Sequence, residues 1–193
     1  MTKQNKKLIL SSKSPRRQEL LKGLGLEFSI DIREVEELYD EKIPANQVSK
    51  YLAKLKATPF IGTLASDQLL ITSDTVVVID DKVLGKPKNN DEAEKMLEQL
   101  SGKTHKVITG VCLTEDLDQH VFSVETEVIF DELTLAEIQF YIQQCQPFDK
   151  AGSYGIQEWI GFAKIKALRG CYYNVMGLPL NALYRKLREL KVI

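Results

Sequence analysis

Cysteine is scarce in this 193-residue chain, and its three residues, Cys112, Cys145 and Cys171, are widely separated with no Cys-x-x-Cys spacing. An odd, scattered set excludes a disulfide framework and a thiolate zinc site, and it suits a reducing compartment. The two histidines, His105 and His120, lack ligand spacing, so neither is given a role. Long hydrophobic runs are missing as well. After the basic start from Met1 to Lys7 the apolar stretch is only Leu8-Ile9-Leu10, too short for a signal peptide. No segment approaches the roughly 20 apolar residues that cross a bilayer. Net charge is almost absent, a formal −1, which removes the usual electrostatic basis for nonspecific nucleic-acid binding while leaving room for a small anion held by local basic residues. These absences lead to the expectation of a cytoplasmic protein with neither a membrane nor a nucleic-acid partner.

The composition that is there, 44% hydrophobic and 27% charged residues, is that of an ordinary globular protein. Its length fits one domain over residues 1–193 or two tightly fused lobes. Leu8 to Ser11 reads as a short buried strand. Ser14-Pro15 then supplies an N-cap with proline at the first helical position, and the helix runs to about Lys22 before Gly23 and Gly25. Phe28 to Ile32 alternates like a strand, the acidic stretch Glu34 to Glu41 reads as a loop, and Asn46 to Ala57 has helical spacing. The run from Leu69 to Ile79 is apolar almost throughout, which predicts a central strand covered on both faces. Asp80-Asp81 reads as a hairpin turn, with Lys82 to Gly85 returning until Pro87 ends the pairing. Asn90-Asp91 is expected to cap a helix to Leu100. Lys106 to Leu113 and Val121 to Phe130 are expected strands around the turn Glu115 to Asp118, and Thr134 caps a helix to Cys145. Strands near Ala163 to Leu168 and Tyr173 to Met176 and a helix from Pro179 to about Leu190 complete an α/β protein with a mixed sheet.

Several segments carry groups suited to chemistry on phosphates. Ser11-Ser12-Lys13-Ser14-Pro15-Arg16-Arg17 places hydroxyls, amides at a helix N-terminus and two guanidinium groups beyond a strand, which are the parts of a phosphate site. They are equally the parts of a capped helix with two solvated arginines. Asp74 lies within the apolar strand, where an ionised carboxylate needs a metal, a cation or several donors, so catalysis, metal binding and a structural salt bridge all remain open. Glu34, Glu36 and Glu37 offer oxygens to Mg²⁺ or form a solvated loop. Lys56 and Lys86 could neutralise phosphate charge, Lys86 the more so because Gly85 and Pro87 fix its backbone. In the segment Asp149 to Gln157, two glycines let backbone approach a ligand and Gln157 presents a donor and an acceptor to a base edge.

Together these segments resemble the Maf family of nucleoside-triphosphate pyrophosphatases, and specifically its dTTP/UTP-directed branch. The matching stretches are Ser12-x-Ser14-Pro15-Arg16-Arg17, Glu36-Glu37, Lys54-x-Lys56-Ala57, Ser73-Asp74-Thr75, Leu84-Gly85-Lys86-Pro87, Leu100 to His105, and Asp149 to Gln157. They run in order over nearly the whole chain. The resemblance implies an elongated, curved mixed sheet flanked by helices, with two lobes and a central cleft, related to inosine-triphosphate pyrophosphatases and commonly dimeric. It implies hydrolysis of the α–β phosphoanhydride of a nucleoside triphosphate, with a divalent cation, Mg²⁺ or Mn²⁺. It further implies Asp74 as proton acceptor and Arg17, Thr75 and Gln157 in substrate choice; beside it, the acidic loop leads to the expectation of a metal held by Asp74 and Glu37, with Glu36 as the alternative to Glu37. Ser12, Ser14, Arg16, Lys56 and Lys86 fall at the family's phosphate site.

The chain departs from the family pattern in two places. Ser73 stands where alanine is common, and Glu158-Trp159 follows Gln157 where glycine is frequent, adding charge and bulk beside the expected base site. Alternatives within the resemblance are a pyrophosphatase for 7-methyl-GTP or another modified nucleotide. A different class of reading is a noncatalytic nucleotide-binding regulator of cell division.

Overall fold

In the computed structural model, which describes residues 4–193, the apolar run around Asp74 becomes β3 (Gln68–Ile79), with Leu69, Leu70 and Ile71 fully buried. It is flanked on one side by β1 (Lys7–Leu10), parallel to it with Leu10 opposite Ile71, and on the other by β5 (Thr104–Glu115). Both faces and both edges of the strand are therefore occupied, as near-continuous apolarity requires. Beyond β1 lies the parallel β2 (Phe28–Ile30), and beyond β5 lie β6 (Asp118–Phe130) and the antiparallel β7 (Ile165–Arg169). The short β4 (Lys82–Leu84) pairs with the end of β3, which completes a seven-stranded mixed sheet. Asp80 and Asp81 between β3 and β4 both have positive φ, 49° and 59°, the conformation of a type I′ hairpin.

Helices α1 (Pro15–Gly23), α2 (Ala45–Ala57), α3 (Asn90–Leu100), α4 (Leu135–Cys145) and α7 (Leu180–Glu189) form close to their expected places. Ser14 caps α1 through its hydroxyl oxygen and Pro15 begins the helix. The cap of α3 is Asn89, one residue before the expected pair, accepting from the Glu92 amide at 2.9 Å. Thr134 and Glu137 form a reciprocal capping box at α4.

The chain divides into two compact units. One holds the residues up to Asp74 with Thr109–Val124 and Gly177–Ile193, and the other holds Thr75–Ile108 with Glu125–Met176. Residues 1–3 of the expected domain lie outside the described residues. In the first unit Ile9, Leu70, Ala53, Ala57, Phe60 and Cys112 form a core where α2 meets strands. The core of the second is larger, built from Val77, Ile79, Leu97, Val107, Phe130, Tyr141, Tyr154 and their neighbours.

Two expected strands are corrected. Tyr173 to Met176 is helical, α6 (Tyr172–Met176), and the strand expected from Ala163 starts only at Ile165 because Ala163 and Lys164 end a short helix, α5 (Trp159–Lys164). Aromatic and β-branched residues favour strands, but tertiary bonds decide here. The fully buried Asn174 donates from Nδ2 to the Val107 carbonyl at 2.9 Å and to the Thr126 hydroxyl at 3.0 Å. That hydroxyl also accepts from the Cys171 amide at 3.0 Å and donates to its carbonyl at 3.2 Å. A helical turn delivers Asn174 to both partners.

His105, without a role in the sequence, proves to be a core residue. It is 2% exposed, its Nε2 lies 2.8 Å from the Tyr154 hydroxyl, and its ring meets Phe130 and Tyr154 edge-on. Burial lowers its pKa from 6.5 to about 4. The unfolded chain thus takes up this proton before the folded one, so the contribution is complete above pH 6.5 and is lost as pH falls from 6.5 to 4. A shift of that size corresponds to about 3 kcal/mol. Urea-denaturation free energies measured across this interval should show the fall, and His105→Phe should remove that part of the slope.

Candidate active site

The first unit gathers most of the expected site residues. β1 and β3 run parallel, and the chain leaves β1 through Ser11, whose amide bonds the Ile71 carbonyl at 3.0 Å. The Ser12–Arg17 turn therefore begins alongside the stretch of β3 that leads to Asp74. Its hydroxyls first serve the turn itself. Ser12 Oγ accepts from the Ser14 amide at 3.2 Å, and Ser14 Oγ caps the Arg17 amide. Such a turn holds the amides of the first helical residues at a helix N-terminus, where the dipole favours an anion.

Arg17 is half-buried and turned inward. Its Nε donates to the Gly177 carbonyl at 2.8 Å and its Nη1 to the Ser73 carbonyl at 2.9 Å, which ties α1 to the residue before Asp74. Burial lowers its pKa, and the negative charges of Asp74 and Glu37 oppose that shift. Ser73 itself is fully buried, with no hydrogen-bond partner for its hydroxyl among the described residues.

Asp74, 8% exposed, meets the cation its strand position demands. Lys56 Nζ lies 2.5 Å from Asp74 Oδ1 and 3.1 Å from Glu37 Oε1, so one ammonium bridges two carboxylates. The reach of Lys56 follows from how α2 sits. Ser49, Ala53 and Lys56 occupy successive turns of one helix face. Ser49 and Ala53 are fully buried, and the Thr72 hydroxyl donates to the Ala53 carbonyl at 2.7 Å. Gly110 of β5 lets the helix come that close: a Cβ there would lie 2.3 Å from the Ser49 carbonyl oxygen. Sequence reasoning missed Gly110, although a glycine inside a strand pattern is a signal for close backbone approach. Glu34 of the acidic loop is paired instead with Lys13, apart from this cluster.

The remaining expected residues belong to the second unit. Thr75 follows Asp74 on β3, half-buried. Exposed Lys86 and the loop before Gln157 are joined by a bond from the Gly152 amide to the Gly85 carbonyl at 2.9 Å. Gly152 takes φ 67°, and a Cβ on it would lie 2.8 Å from Val77, so glycine is required for both reasons. Glu158 does not add a loose charge beside Gln157. Its carboxylate turns back onto Lys150, at 2.9 Å, and onto the Tyr141 hydroxyl.

Among the described residues there is no cluster of three or more His, Cys, Asp or Glu side chains able to enclose a metal, and no helix long and apolar enough to cross a membrane. The donors at Asp74 and Glu37 are hard oxygens, two negative charges against the single positive charge of Lys56. That set fits a divalent cation whose shell is completed by phosphate oxygens and water.

A mixed α/β sheet thus carries, in its first unit, a carboxylate pair bridged by one lysine, with a capped helix start bearing Arg16 and Arg17. The chain belongs to the Maf-like protein family, whose sequence pattern matches residues 7–190. It is 51% identical to a dTTP/UTP pyrophosphatase of Phocaeicola vulgatus over 95% of this chain and 96% of that one. It is 46% identical to a dTTP/UTP pyrophosphatase of Christiangramia forsetii, over 96% and 95% of the two chains. Among solved structures it is similar to the Staphylococcus aureus Ham1 protein, with a TM-score of 0.48 and 14% identity over 65% of this chain and 72% of that one.

Proposed function

We propose that this chain hydrolyses the α–β phosphoanhydride of dTTP and UTP, releasing the nucleoside monophosphate and pyrophosphate. The observation that carries the reading is Asp74, a buried strand carboxylate bridged by Lys56 to Glu37, in a chain whose relatives carry the name dTTP/UTP pyrophosphatase.

In this reading Asp74 accepts the proton of the attacking water at its carboxylate, and Lys56 orients that carboxylate and offsets phosphate charge. Ser12, Ser14, Arg16 and Lys86 hold the phosphates, while Arg17, Thr75 and Gln157 bear on which nucleotide is accepted. Glu37 and Asp74 would hold Mg²⁺ or Mn²⁺. A cation bound there supplies Lewis-acid neutralisation of charge on the phosphate oxygens. The thiols of Cys112, Cys145 and Cys171 are free and suit the reducing cytoplasm in which the proposal places the enzyme, as a homodimer of the kind the resemblance implies.

The test is pyrophosphate release from dTTP, UTP, CTP, GTP and 7-methyl-GTP, with Mg²⁺ or Mn²⁺ supplied or chelated. The expected outcome is kcat/KM for dTTP and UTP about tenfold or more above the others, and loss of turnover with chelator. Release from none of the five overturns the proposal.

A further inference from the structure

The loop that carries Gln157 is held by a polar network that the proposed reaction does not use directly. Glu158, next to Gln157 and at the head of α5, places Oε1 2.9 Å from Lys150 Nζ. Lys150 is 8% exposed and also pairs with Asp149 at 2.7 Å. The other oxygen of Glu158 accepts from the fully buried Tyr141 hydroxyl, and that hydroxyl accepts in turn from the Gly155 amide at 2.9 Å. Burial, reinforced by Glu158, pushes the Tyr141 hydroxyl well above its ordinary pKa, which keeps it a donor. The Glu158 amide closes the circuit by bonding the Gly155 carbonyl at 3.0 Å.

Gly155 is where this network meets Gln157. A Cβ on Gly155 would lie 2.8 Å from Glu158 Cδ and 3.0 Å from Gln157 Nε2, so the carboxylate and the carboxamide press on one side of the same glycine. Lying against Gly155 and Glu158, the Gln157 carboxamide has less room to turn than it would on an open loop, and preorganised polar groups discriminate between ligands better than mobile ones.

We propose that Glu158 is a positioning residue for nucleobase recognition: with Lys150 and Tyr141 it fixes Gly155 and the Gln157 carboxamide, and so sets base selectivity. The inference rests on Gln157 contacting the base in the reaction proposed above.

The experiment compares Glu158→Gln, Tyr141→Phe and the double variant with the unaltered chain, reading KM, kcat and melting temperature for UTP and GTP. Glu158→Gln keeps the size and an acceptor for Tyr141 but removes the charge facing Lys150. Each single variant is expected to raise the KM for UTP about tenfold with kcat changed less than about twofold. The ratio of kcat/KM for UTP to that for GTP should fall by a similar factor. The double variant should lose little more than the worse single one, because the two groups act as one network. An unmoved UTP to GTP ratio overturns the proposal, whether both nucleotides stay at unaltered rates or decline together with melting temperature. If the unaltered chain releases pyrophosphate from neither nucleotide, the reaction itself is rejected, which is a different result.

Discussion

Asp74→Asn is expected to cut pyrophosphate release from UTP by about a thousandfold at saturating metal, the range in which a positioned general base contributes. Asparagine keeps the shape of the side chain and an oxygen for Lys56, but it takes up no proton at neutral pH and brings no charge. The competing account is that Asp74 only anchors α2 to β3 through its 2.5 Å contact with Lys56. The two accounts separate when kcat and stability of Asp74→Asn are read together, because the loss of an anchor lowers the melting temperature without a thousandfold loss of turnover well below it. Lys56 is 17% exposed at its side chain and has Glu37, 3.1 Å away, as its other carboxylate partner. Asp74→Asn alone should therefore cost about 1–3 kcal/mol, since a largely buried charge loses its best partner. Asp74→Asn combined with Lys56→Met should recover part of that stability by removing the stranded ammonium, yet remain inactive. Full turnover in Asp74→Asn with saturating metal rejects the catalytic role outright.

Gly110→Ala is expected to cost about 3 kcal/mol, read as a shift in the denaturation midpoint. Its Cβ would lie 2.3 Å from the Ser49 carbonyl oxygen, 2.4 Å from the Ser49 carbonyl carbon and 2.6 Å from the Lys50 nitrogen. All three are backbone atoms and none has a rotamer to give, so β5 and α2 must separate. Because α2 also carries Lys56, kcat should fall with stability. Gly23→Ala at the end of α1 is the control. Nothing lies within 4 Å of its Cβ, and the change should be neutral or stabilising by about 0.5 kcal/mol, through the less flexible unfolded chain. Equal effects of the two substitutions would remove the close-approach argument.

The elements most legible in the sequence were those whose signal is local. Ser14-Pro15 at the start of α1, Thr134 at α4, and Asp80-Asp81 between β3 and β4 are set by hydrogen bonds and φ angles within a few residues. The centrality of β3 was legible because solvent on neither face leaves an unbroken apolar run. The helix over Tyr172–Met176 was not, since its cause is a pair of bonds from Asn174 to residues 67 and 48 positions away. Nor could composition show that Glu158 folds back onto Lys150 and Tyr141, because carboxylate, ammonium and phenol come from different elements.

The sequence by itself determined that an acid stood where an apolar strand could not tolerate it alone, and that serines and arginines at a helix start, an acidic loop and spaced lysines stood ready to answer it. Only the tertiary structure decided that Lys56 answers first, that Glu37 shares it, and that Arg17 spends two of its bonds on the carbonyls of Ser73 and Gly177. The physical reason is distance. A buried charge fixes that a partner must exist, while the choice of partner depends on how closely α2 approaches β5, which Gly110 permits.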